Sequence, residues 1–331
     1  MNYDEVFHKI ILKPPKDKDN QKYLVTQTLV HHSTYQGYNR LTDPLNIGGN
    51  MISLVPDKKL VTLEDAIENA TDNVVKNING RDVYLLLSGG IDSTLVFYAL
   101  VKRGIPLTVV SDQYAVMEYM RLYKQILHNE FKDVSFYPSL KNSFAELAKD
   151  KNILLVTGEI GDQTMGTMVN MELTYKERNT TMADAVKTDL LHKICVGEFK
   201  GNFTQACIAT YGDVITWLEK TPENCTVAEF LWAVNFIYKY LLVIYRLYMC
   251  GMVQYGEDKN VVHFFDTEMF QQYAMSHYEE NCAYVEDYEY KQAFKDWIYT
   301  QNGDEEFRKY KLKVPSLRLS NYWRERVRLD V

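Results

Sequence analysis

The sequence has no Cys-x-x-Cys pair, and its five cysteines, Cys195, Cys207, Cys225, Cys250 and Cys282, follow no zinc spacing. Their odd number in a 331-residue chain fits unpaired thiols in a reducing compartment. The opening residues, MNYDEVFHKIILKPPKDKDNQ, hold no apolar core of the length a secretory leader needs, so no leader is expected. A long uninterrupted apolar run is also missing. The most apolar segment, residues 226–249, carries Glu229, Asn235, Lys239 and Arg246, which suits a buried helix better than a membrane span. A cytoplasmic protein is expected, with no membrane partner. Nor is positive charge in excess: 37 Lys and Arg against 44 Asp and Glu leave a net charge of −7, so no nucleic-acid partner is expected. The basic stretch from Lys309 to Arg328 is the local exception. Repeats, low-complexity linkers and the lysine-bearing G-x-x-x-x-G-K-[ST] loop are all absent.

What is present is a regular alternation. Residues 1–60, with Pro14, Pro15, Pro44, Pro56 and Gly48-Gly49, are expected to form short strands and turns. LEDAIENATDNVVKN (63–77) has helical apolar spacing and stops before Gly80. VYLLL (83–87) is a continuous apolar run, expected of a strand covered on both faces. A helix to Gly104, a strand at 107–112, a helix at 118–131 and a strand at 134–138 follow. A short helix at 143–150 and a strand at 153–159 complete the series. Units of this length predict an α/β fold, a parallel sheet with helices on both faces. Helices at 181–194, 204–220, 226–250, 266–280 and 286–300 are expected beyond it. The division read from this pattern is a short N-terminal region (1–60), an α/β core (61–170) and a mostly helical part (171–331).

The first strand ends in SGGIDST, residues 88–94. Glycines let backbone approach a ligand closely, and a helix start offers unpaired N–H groups to an anion. Ser88, Ser93 and Thr94 add hydroxyls, with Gly89 and Gly90 between them. Asp92 repels a phosphate unless a Mg²⁺ ion lies between the two. A plain glycine turn with Ser93 as helix cap is the bland alternative. The fourth strand ends in a second glycine- and acid-bearing segment, TGEIGDQTMG (157–166), with Gly158, Glu159 and Asp162. In open parallel sheets ligands sit beyond the carboxyl ends of strands at a topological switch point, so both segments are candidates for one site.

SGGIDST resembles the SGG-x-DS loop of the N-type ATP pyrophosphatases. TGEIGDQTMG resembles the SGEG-x-DE-x-FGG segment of asparagine synthetases and β-lactam synthetases, with Ile160 in place of a glycine and Gln163 in place of an acid. VVHFFDTEMFQQYAM (261–275) is similar to that family's PFLD segment through Phe265 and Asp266. EDYEYKQAFKDWIY (286–299) resembles its following lysine-containing helix. FRKYKLKVPSL (307–317) is similar to its late loop, where Lys311 stands at the catalytic lysine, with Lys309 and Lys313 close by.

The resemblance implies an adenine-nucleotide hydrolase-like fold and an enzyme that cleaves ATP between the α and β phosphates. It would adenylate a carboxylate, release pyrophosphate, and pass the acyl group to ammonia or an amine. Ser88, Gly89, Gly90, Asp92, Ser93, Thr94 and Gly158 would hold ATP, with Val110 and Ser111 beginning the adenosine pocket. Asp92 and Asp162 would hold Mg²⁺, and Lys311 and Glu159 would be the catalytic residues. That family's glutaminase domain begins with a cysteine after the initiator methionine; here Asn2 follows Met1 and no cysteine precedes Cys195. Free ammonia, a substrate amine or a separate glutaminase subunit is therefore expected as the nitrogen source. Rival readings are a tRNA-modifying enzyme or an NAD- or GMP-type synthetase of the same superfamily, or a non-catalytic nucleotide-binding homologue.

Overall fold

The computed structural model of the chain describes residues 60–138, 147, 150–165, 173–188, 190, 211–239, 260–279 and 291–311. The expected strands of residues 1–59, most of the helix at 143–150, and Lys313 lie outside the described residues, as do all the cysteines except Cys225. The described residues divide into two compact units. One holds the described residues 67–138, 147, 150–159, 260–264 and 291–311; the other holds 60–66, 160–165, 173–188, 190, 211–239 and 265–279.

Helix α1 (Leu63–Ile78), whose residues from Ile67 on belong to the first unit, leads there into β1 (Asp82–Leu86), α2 (Ile91–Lys102) and β2 (Leu107–Ser111). Next come α3 (Gln113–Glu118), α4 (Met120–Leu127), β3 (Val134–Pro138) and β4 (Ile153–Thr157). All strands of the sheet are parallel, in the order β3-β2-β1-β4, with a fifth strand, β5 (Val261–His263), beside β4. From β1 the chain first builds outward through β2 and β3, then crosses back to place β4 on β1's other side. The switch point therefore lies between the carboxyl ends of β1 and β4, the usual ligand crevice of an open parallel sheet.

β4 is buried along its whole length, as its unbroken ILLVT run requires. β1 instead alternates, with Val83 and Leu85 buried and Tyr84 and Leu86 partly exposed, so the continuous apolar run overstated how fully it is covered. Tyr84 and Leu86 pack against buried Val110, Leu147 and Ile153. α2 is apolar nearly all round and buried from Ser93 to Leu100, which suits a helix enclosed by other elements. Each such Leu or Phe contributes roughly 1.5–3 kcal/mol of burial.

The expected helix at 118–131 is found as α4, Met120–Leu127, and a separate short helix, α3, precedes it. The two are separated at Tyr119, whose φ of −142° and ψ of 65° are not helical. Asp112 does not extend β2 but caps α3, accepting the Ala115 N–H at 2.8 Å. After β5 the same unit continues with α11 (Gln292–Asn302) and α12 (Glu305–Tyr310). The segment 307–317, expected as a late loop, begins inside α12 with Lys311 as the helix C-cap, and its residues 312–317 lie outside the described residues.

The second unit contains α5 (Gly161–Met165), α6 (Tyr175–Arg178), α7 (Met182–Lys187), α8 (Tyr211–Trp217), α9 (Val227–Val234) and α10 (Glu268–Ser276). Capping boxes start α6 at Thr174/Glu177 and α9 at Thr226/Glu229. α9 runs into a π-helical turn, Asn235–Lys239. Trp232 stacks on Trp217 at 5.9 Å, Phe236 at 5.0 Å and Tyr278 at 4.9 Å, forming this unit's aromatic core. Cys225 is free and buried here, and burial pushes its thiol up to about 12. No helix among the described residues is long and apolar enough to cross a membrane.

Candidate functional site

The tip of β1 is shaped by its glycines and by hydroxyls that bond to one another. Gly89 has a φ of +74°, a conformation that L side chains rarely adopt. A Cβ there would stand 2.7 Å from the Ala115 carbonyl oxygen, so the loop lies directly on α3. The Ser88 N–H donates to the Ser93 hydroxyl at 3.1 Å, and the two serine hydroxyls share a 2.9 Å bond. Ser93 also donates to the Gly90 carbonyl, 3.2 Å away. Ser88 and Ser93 thus hold the loop's shape as well as lining it. Thr94 is fully buried, and its Oγ1 has no hydrogen-bond partner among the described residues.

Gly90 is the N-cap of α2 and gives that helix no side-chain cap. The first turn's N–H groups carry the positive end of a twelve-residue helix. Across the switch point, a Cβ on Gly158 would come within 2.9 Å of the Ser93 nitrogen and 3.0 Å of its Cα. The tips of β1 and β4 therefore touch, backbone to backbone. Beside Gly158, Thr157 Oγ1 shares a 2.7 Å bond with His263 Nδ1 at the end of β5. Glu159, partly exposed, follows with its N–H on the Thr157 hydroxyl at 3.3 Å.

Two lysines from the last elements of this unit come to the loop. Lys291, immediately before α11, forms an ion pair with Asp92; its side chain is 1% exposed and that of Asp92 19%. Lys291 holds a left-handed φ of 53°, uncommon for a residue with a side chain. Lys311 pairs with Glu118 at 2.8 Å, with side chains 10% and 12% exposed. Glu118 is also the neighbour of the glycines: a Cβ on Gly89 would meet its Cβ at 3.2 Å, and one on Gly90 its Oε1 at 3.6 Å. Burial pushes the Lys311 ammonium below its ordinary value, and the Glu118 carboxylate works against that shift.

Of the residues singled out in the sequence, Ser88, Gly89, Gly90, Asp92, Ser93, Thr94 and Gly158 gather at one switch point. Lys311 joins them through Glu118. Val110 and Ser111 are buried below, at the end of β2. The Ser111 hydroxyl is taken by the Leu87 carbonyl and by Tyr123 OH, each at 2.7 Å, so it braces β1 against β2. Asp162 lies in the first turn of α5, in the other unit, where its carbonyl accepts from Asn235 at 2.9 Å. Ile160, at the position where the resemblance has a glycine, is buried with a φ of +64°.

Lys291 and Glu118 were not singled out from the sequence as site residues. Their partners lie 199 and 193 residues away, and no local pattern signals either pair.

The glycine turn and the uncapped helix start turn backbone N–H groups toward the strand tips, where an anion is favoured, while Lys291 and Lys311 are each already paired with a carboxylate, Asp92 and Glu118. For a divalent cation the loop offers the Asp92 carboxylate, already engaged by Lys291. Mg²⁺ commonly needs just one or two carboxylates with substrate phosphates, and among the described residues no group of three or more His, Cys, Asp or Glu is placed to hold a metal. No family model, curated protein or solved structure matches the chain.

Proposed function

We propose that the chain is an ATP-dependent carbon–nitrogen ligase. It would adenylate a substrate carboxylate, release pyrophosphate, and transfer the acyl group to ammonia or an amine. The observation that carries this reading is the contact of Gly158 with the Ser93 backbone. It sets the SGGIDST loop, with its uncapped helix start, at the switch point of a parallel sheet with β-strand order 3-2-1-4-5.

In this reading the N–H groups of Gly89, Gly90 and the first turn of α2 bind the β and γ phosphates of ATP. Asp92 would hold a Mg²⁺ ion, which when bound would offset the negative charge of those phosphates. A substrate carboxylate oxygen attacks the α phosphorus; the bond to the bridging oxygen breaks, and pyrophosphate leaves with that electron pair. The amine then attacks the acyl carbon, AMP departs, and the amine's proton passes to solvent. Lys311 stabilises negative charge on the tetrahedral oxyanion or on the departing AMP, and Glu159 orients the amine. Losing one such preorganised group typically costs about 3 kcal/mol, roughly a hundredfold in rate. The nitrogen would come from ammonia or an amine.

A second reading, a nucleotide-binding homologue without catalysis, draws on the Lys291–Asp92 pair, which occupies the carboxylate that a cation would use.

The test is incubation with ATP, Mg²⁺, ammonia and a panel of small and peptidic carboxylates, with AMP and pyrophosphate quantified. Equal release of both with one carboxylate supports the ligase. ATP binding without AMP across the panel favours the second reading, and ADP with inorganic phosphate contradicts both.

A further inference from the structure

α12 is six residues long, yet both of its ends are held by two consecutive residues at the α3–α4 break. At its start, Asp304 caps the helix by accepting the Phe307 N–H at 3.0 Å. Its other carboxylate oxygen accepts from Tyr119 OH at 2.8 Å. The Asn302 amide donates to the same tyrosine oxygen at 3.2 Å, and Arg121 lies 3.3 Å from Asp304. The Tyr119 ring also stands 4.5 Å from Phe307, centroid to centroid. At the other end, Lys311 Nζ donates to Glu118 Oε1 at 2.8 Å. Tyr119 is therefore anchored to the first turn of α12, and Glu118 to the residue that closes it.

The non-helical backbone at Tyr119 is what allows this double grip. In a continuous helix, side chains one position apart point about 100° from each other and do not share a partner element. Breaking the helix lets neighbouring residues reach opposite ends of α12. Asp304 is 3% exposed, so its network is enclosed. An enclosed, satisfied network fixes geometry more firmly than surface pairs do.

We infer that Glu118 is a positioning residue that holds Lys311 as a charged ammonium beside the SGG loop, with Tyr119 and Asp304 fixing the helix that carries it. Assigning this device a part in catalysis rests on the ligase reading above. The clamp itself rests on the geometry alone. A buried ammonium survives only with a counter-charge. Among the described residues, Glu118 is the carboxylate that pairs with Lys311. The other charged groups nearby are matched elsewhere: Asp92 with Lys291, Arg121 with Asp304, Arg308 with Asp296 and Glu305, and Lys309 with Glu305. Removing the Glu118 charge therefore drives Lys311 toward the neutral amine.

The experiment is competitive labelling of lysines with acetic anhydride across pH, read by mass spectrometry, on wild-type protein, Glu118→Gln and Glu118→Asp. In Glu118→Gln the neutral fraction of Lys311 at pH 7 should rise at least about tenfold, the equivalent of one pKa unit. Glu118→Asp should recover much of that change, and exposed Lys309 should label equally in all three. Unchanged Lys311 labelling in folded Glu118→Gln overturns the inference. If that variant does not fold, wild type decides: Lys311 reacting as fast as Lys309 overturns the clamp, and strong protection supports it. Pyrophosphate release, measured in parallel, separates the two levels. Wild-type protein that shows the labelling pattern but never releases pyrophosphate keeps the clamp and sinks the ligase reading. With an active enzyme, Glu118→Gln should lose kcat about tenfold with little change in KM for ATP, and its basic limb should move to lower pH. An unshifted pH profile with full kcat removes Glu118 from the reaction.

Discussion

Lys291 holds its ammonium against the carboxylate of Asp92, 199 residues earlier in the chain. The lysine is the deeper partner, so the two residues are not equivalent on removal. Asp92→Asn removes a carboxylate from a buried ammonium and should cost about 3 kcal/mol. Lys291→Met leaves a carboxylate that still reaches water and should cost less. Urea unfolding measures both. An Asp92→Asn/Lys291→Met double variant should recover much of the stability, and its residual activity then reports what Asp92 does for the ligand, free of the folding defect. Equal stability of wild type and all three variants would show that the pair carries no energy.

Gly158→Ala places a methyl group about 3 Å from Ser93 backbone atoms. Backbone on both sides leaves no flexible side chain to yield. A loss of roughly 1–3 kcal/mol is expected, together with weaker nucleotide binding as the β1 tip is pushed away. Thermal melting and an ATP titration read the two effects. A variant with unchanged stability and affinity would show that the two strand tips do not need this contact.

Ile160 is both buried and left-handed, two demands that conflict for a β-branched side chain. The usual order of substitutions should invert here. Ile160→Ala loses packing and keeps the backbone strain; Ile160→Gly loses packing and relieves it. Gly should therefore be the less destabilising by about 1 kcal/mol, as measured by denaturant midpoint. Ala proving the milder change would mean that the backbone at this position is relaxed.

Burial lowers the Lys311 pKa in the folded protein relative to the unfolded chain. Between the lowered value and the ordinary lysine value, the unfolded state binds more protons. This group's contribution to stability therefore rises with pH through that window. Activity should run the other way. If the charged ammonium works in the reaction, kcat falls as pH climbs through the lowered value, and the basic limb lies below the ordinary lysine range. The limb should vanish in Lys311→Met, which leaves a flat, low profile. A limb that persists in that variant belongs to another group.

Much of the sheet unit was legible in the sequence because its signals are local. The apolar runs VYLLL, LTVV and ILLV, each followed by a polar break, mark strands β1, β2 and β4 to within one or two residues. The SGG turn is marked by its own glycines, whereas the need for glycine at 158 comes from the Ser93 backbone, far earlier in the chain. Short, distant or broken elements were not legible. VVHF reads as part of a motif, yet its first three residues pair with β4 as β5. The run from 118 to 131 has helical spacing, and nothing local announces that a short helix precedes it or that Tyr119 leaves helical geometry and reaches Asp304. Lys291 and Glu118 acquire their meaning solely from partners nearly two hundred residues away. The exchange of residues between the two units after residue 159 is likewise a property of the folded chain, where the sequence suggested a single boundary near 170.

The central claim is that the loop of residues 88–94 grips the triphosphate tail of ATP. The most direct measurement is a crystal structure with Mg²⁺ and α,β-methylene-ATP, whose carbon bridge blocks cleavage between the α and β phosphates. The expected result is the β and γ phosphates on the N–H groups of Gly89, Gly90 and the first turn of α2, with Lys291 and Lys311 within reach. Density for the nucleotide elsewhere, or a loop left empty at saturating ligand, would contradict it.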